Sequence, residues 1–92
     1  MLIPVIRIFK SGQNYYLKEI FINPRKIIYM SEDFSYRQNL KEGKIRLDLH
    51  PSTSFTKVKI SMDDHIEEMI LIGEPKMIER KFFRKKKMLL RD

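Results

Sequence analysis

The chain opens on short runs of apolar, β-branched and aromatic residues separated by turn signals, and its clearest period of two comes later, over residues 44–62. Residues 3–10 (Ile3-Pro4-Val5-Ile6-Arg7-Ile8-Phe9-Lys10) are rich in β-branched and aromatic types and run into Ser11-Gly12-Gln13, which predicts a strand and a tight turn. Residues 14–22 resume the pattern and complete a hairpin. Asn23-Pro24 then bends the chain, and residues 26–30 (Lys26-Ile27-Ile28-Tyr29-Met30) predict a third strand. Ser31 to Gly43 is mostly polar, with Phe34, Tyr36 and Leu40 as its apolar members, and reads as a long loop.

Ile45, Leu47 and Leu49 alternate with Arg46, Asp48 and His50, which predicts a half-buried strand over residues 44–50. After the turn residues His50 to Ser54, Val58, Ile60 and Met62 alternate with Lys57, Lys59 and Ser61, and these two segments are expected to pair. Pro4, Lys57 and Lys59 resemble protection of sheet edges.

The period changes near Ser61. Ile66, Met69, Ile70 and Gly73 follow helical spacing after Ser61-Met62-Asp63-Asp64, whose oxygens and charge suit a helix start, so residues 63–72 predict a short helix. A strand over 69–73 competes, because a short apolar run does not separate the two. Gly73 suits a helix exit, and Pro75 suits the first turn of a second helix reaching about residue 90. The expected fold class is α+β: a small antiparallel sheet or half-barrel of about five strands, closed by one or two C-terminal helices.

Size and charge refine this picture. Ninety-two residues suit one core, here divided into a β-rich unit (1–74) and a basic helical segment (75–92). The net charge of +7 is unevenly spread: residues 1–74 hold 11 Lys and Arg against 10 Asp and Glu, whereas residues 75–92 hold 8 against 2. Cysteine is absent, which removes disulfides, thiolate metal sites and cysteine nucleophiles from consideration. The first residues lack the pattern of a signal peptide and no apolar run approaches a bilayer span, so a cytoplasmic location is expected.

The sharpest chemical feature is Arg80-Lys81-Phe82-Phe83-Arg84-Lys85-Lys86-Lys87. Cations at this density displace counterions from a polyanion, and two adjacent aromatics can stack on bases or enter a headgroup interface. The plainer alternative is a solubilising terminal helix that docks Phe82 or Phe83 on the core. Tyr15, Tyr16, Tyr29 and Tyr36, near Arg25, Lys26 and Arg37 in sequence, offer a second candidate, an aromatic and basic sheet face, against ordinary packing. His50, His65, Asp63, Asp64, Glu67 and Glu68 match no zinc or calcium spacing, and three glycines form no phosphate loop. No cofactor, metal, catalytic residue or small-molecule substrate is therefore expected. The expected function is a non-enzymatic accessory or regulatory protein contacting nucleic acid or another polyanion through residues 80–87. The alternative is an assembly component that binds a protein partner, or a second copy, through a sheet edge or the terminal helix.

Two stretches carry a family resemblance. Ile22-Asn23-Pro24-Arg25-Lys26-Ile27 and Val58 to Ile70 resemble the core of the small flagellar and swarming-motility proteins and their bacterial and phage relatives. The resemblance covers about a third of the chain and implies a compact β-meander closed by a helix, with no catalytic residues.

Overall fold

The computed structural model describes residues 1–82. Its centre is one open antiparallel sheet of five strands: β1 (Ile3–Ser11), β2 (Asn14–Ile22), β3 (Ile27–Glu32), β4 (Phe55–Ser61) and β5 (Ile66–Ile72), in the spatial order β2-β1-β5-β4-β3. Among the described residues two α-helices accompany it, α1 (Phe34–Lys41) and α2, which occupies 75–82. The α+β class expected from the pattern is the class observed. Among the described residues no helix is long and apolar enough to cross a membrane.

β1 and β2 form the expected hairpin, with Ser11 opposite Asn14. Its two-residue turn places Gly12 at φ +62°, followed by a residue of negative φ, which fits type II′, the turn whose twist matches that of the strands. β2 and β3 are the outermost strands, yet only Asn23 and the 3₁₀ turn Pro24–Lys26 separate them in sequence. A flat sheet with strands about 4.8 Å apart would hold them roughly 19 Å from each other. The chain folds back on itself in this link, Lys26 N–H donating to the Asn23 carbonyl at 3.0 Å, so it cannot bridge that gap. The sheet must curve. Ile3 of β1 and Ile27 and Met30 of β3 accordingly line one depression together with Ile78 and Phe82 of α2.

The two faces of the sheet are covered by different elements. On one face Ile3, Val5, Ile22, Val58, Ile60, Met69 and Leu71 form a cluster that α2 completes with buried Ile78 and part-buried Phe82. On the other, Ile8, Phe55, Ile70 and Ile72 receive Tyr36 and Leu40 of α1 and Ile45, Leu47 and Leu49 of the segment after it. β5 therefore contributes to both clusters.

Four expectations are corrected. The 31–43 segment contains α1, not a long loop: the Asp33 carboxylate accepts from the Tyr36 N–H at 2.8 Å, and Gly43, at φ +77°, ends the helix with its N–H on the Leu40 carbonyl at 3.1 Å. Residues 44–50 form no strand and do not pair with β4, although their burial alternates as the pattern required. Residues 63–72 are not a helix. Met62 to His65 form a hairpin loop between Ser61 and Ile66, and the competing strand reading is correct in type for β5. Finally, Lys57 and Lys59 lie on an interior strand, because the sheet edges are β2 and β3.

Candidate polyanion-binding surface

The basic segment begins on α2, whose start follows from Pro75 at the first turn. Ile78 and Phe82, four residues apart and so on one helix face, pack on the sheet. Ile78 is 3% exposed, which fixes the helix rather than merely resting it on the surface. Arg80 and Lys81 are exposed. Lys81 Nζ donates to the Pro4 carbonyl at 3.4 Å. That carbonyl points away from β2 in the alternation set by Ser11 and Asn14, and Pro4 has no N–H to lose on the same side. Of the eight residues expected to form the site, Phe83, Arg84, Lys85, Lys86 and Lys87 lie outside the described residues.

The four tyrosines do not share a face. Tyr15 and Tyr16 are neighbours on β2 and must point to opposite sides. Tyr15 meets Tyr36 edge-on at 6.2 Å, and Tyr36 meets Phe55 at 5.8 Å, so both belong to the core under α1. Burial, and then the neighbouring Tyr15 and Asp33, raise the Tyr36 phenol above its ordinary value. Tyr16 stacks on Phe9 at 5.2 Å with 10° between rings, and the Arg7 guanidinium lies 4.4 Å from the Phe9 centroid. This basic and aromatic column escaped sequence reasoning because Phe9 and Arg7 read as ordinary strand residues.

The histidines are engaged locally. His50 Nδ1 accepts from the Ser52 N–H at 3.1 Å, and His65 Nδ1 lies 2.6 Å from an Asp64 carboxylate oxygen. Asp63 of the β4–β5 loop pairs with Lys26 of the link between β2 and β3 at 3.3 Å. Among the described residues no three His, Asp or Glu side chains converge as metal ligands.

A second concentration of positive charge lies at the other end of β1. Lys10, Gln13, Asn14 and Tyr15 of the β1–β2 hairpin and Lys44 and Arg46 beyond α1 line one open recess of about 530 Å³. The chain brings them together through Ile45, which is 3% exposed and sits in the core, so that its neighbours Lys44 and Arg46 are turned to solvent. No protein-family model, curated protein or solved structure matches the chain.

Proposed function

We propose that this is a non-enzymatic accessory binding protein that contacts nucleic acid, or another polyanion, through the basic segment Arg80 to Lys87. The curved sheet is the scaffold. The observation that supports this reading is the docking of Ile78 and Phe82 on the core while Arg80 and Lys81 stay exposed, which starts the cation-rich run from a fixed point on the folded body. A firmly held origin reduces the orientational freedom lost on binding. Anisotropy titration of a labelled oligonucleotide at low salt tests it. Replacing Arg80, Lys81, Arg84, Lys85, Lys86 and Lys87 by Gln should lower affinity by about tenfold or more. Unchanged affinity in that variant rejects the reading.

A second reading, an assembly component that accepts a protein strand, is favoured by the exposed edge of β2. With Ser11 and Asn14 as a hydrogen-bonded pair, Tyr15, Leu17, Glu19 and Phe21 direct their backbone groups away from β1. Phe21 is 60% exposed beside that edge. Such an edge accepts an added strand. Leu17→Pro removes an outward N–H without touching the β1 ladder. It should abolish association with a partner or a second copy, measured by light scattering; association that survives in the variant rejects an edge-strand contact.

A further inference from the structure

The recess between the β1–β2 hairpin and residues 44–46 takes none of its lining from α2, and its chemistry is specific. Three cations line it and no carboxylate does. Lys44 also pairs with Glu42 at 3.3 Å. Counting that carboxylate, the group carries a net charge of +2, close to the opposite of a phosphate monoester at neutral pH, about −1.5 to −2. Glu42 is held ionised by the Gln38 side-chain hydrogen bond and then by Lys44, so it stays a partner of Lys44 rather than a proton donor.

The positions of these groups are set by the fold. The N–H groups of Lys44 and Ile45 both donate to the Asn39 carbonyl, at 2.8 and 3.3 Å, which ties the segment to the end of α1. Lys10 and Tyr15 are cross-strand partners, with the ammonium 5.7 Å from the ring centroid. Among the described residues Lys10 and Arg46 have no ion pair, so their charge is available. Arg46 offers a planar donor fork that suits two phosphate oxygens, Lys10 a point charge, and the Gln13 and Asn14 amides further donors.

We infer that this recess is a phosphate-binding site. Its volume, about 530 Å³, falls within the roughly 300–1,000 Å³ of small-molecule pockets and exceeds what a bare phosphate fills. The open recess has room for the polar body of a phosphate ester beside Gln13 and Asn14. The site is independent of the C-terminal segment and stands whether or not that segment binds a polyanion.

Titrating the full chain with inorganic phosphate, adenosine monophosphate and a short oligothymidylate, followed by amide NMR shifts, tests this. Saturable shifts are expected at Gln13, Asn14, Lys44 and Arg46. Lys10→Ala with Arg46→Ala should weaken binding by about tenfold, as expected for two lost charge-assisted contacts. Lys18→Ala with Lys59→Ala removes equal charge elsewhere and should change it little. Both pairs alter solvent-facing side chains, and an unchanged spectrum away from the recess verifies the fold. Read at the recess amides and weakened by the Lys10→Ala, Arg46→Ala pair, tighter binding of the monophosphate assigns a small phosphate ester, and tighter binding of the oligothymidylate assigns a nucleic-acid strand; either supports the site. Shifts that do not saturate, or equal weakening by both pairs, overturn it.

Discussion

The Thr56 hydroxyl donates to the Gly73 carbonyl at 2.7 Å, and this bond holds β4 to the corner where β5 gives way to α2. The Gly73 N–H completes the corner by donating to the Ser54 carbonyl at 2.8 Å. Thr56 is fully buried, at 0% exposure. Thr56→Val keeps the shape and strands the carbonyl, so urea unfolding should show a loss of about 1–2 kcal/mol. Thr56→Ser, which keeps the donor, should lose less.

Gly73 itself is held at φ +111°, a conformation that side chains rarely adopt. A Cβ there would meet only the end of Met77, at 4.0 Å, so space is not the obstacle. The cost of Gly73→Ala is therefore backbone strain of about 1–3 kcal/mol. Thermal unfolding of the variant checks this; an unchanged midpoint would show that the corner is not fixed.

Asp33 joins β3 to α1. Its N–H donates to the Phe55 carbonyl at 2.8 Å and its carboxylate caps the helix at Tyr36. Asp33→Ala should cost about 0.5–2 kcal/mol, and Asp33→Asn, which keeps an acceptor, only part of it. Equal losses would place the effect in the 3.9 Å pairing with Lys57 rather than in the cap.

Tyr36 predicts a particular alkaline behaviour. Its phenol is raised in the folded protein above the ordinary 10.0, first by burial. Above about pH 10 the unfolded chain therefore gives up this proton first, and stability present below that pH is lost as pH rises through the folded value. Tyr36→Phe removes this component. Between about pH 9 and pH 11 the variant should lose less stability than the parent in paired urea titrations. Identical slopes would mean that the phenol is solvated.

Legibility in the sequence follows how each segment is covered. β1, β2 and their turn were readable because β-branched runs flank Gly12. β5 was misread because it is covered on both faces: Met69 and Leu71 serve one cluster and Ile70 and Ile72 the other, which erases the period of two. The reverse happened at Ile45, Leu47 and Leu49, whose alternation reflects packing under α1 without a ladder. α1 was hidden because its eight residues bury only Leu40 fully, while its stops, Asp33 and Gly43, are visible only once a helix is sought. At the candidate sites, the basic run was legible because it is contiguous. The recess was not, because Lys10 and Lys44 meet only through the burial of Ile45.

The salt dependence of oligonucleotide binding tests the central proposal most directly. For the full chain, the logarithm of the affinity should fall linearly with the logarithm of salt concentration, by about 0.9 per phosphate neutralised on duplex DNA and about 0.7 on a single strand. In the variant with Arg80, Lys81, Arg84, Lys85, Lys86 and Lys87 replaced by Gln, the slope should flatten markedly. Absence of binding at low salt, or the same slope in both proteins, would contradict the account.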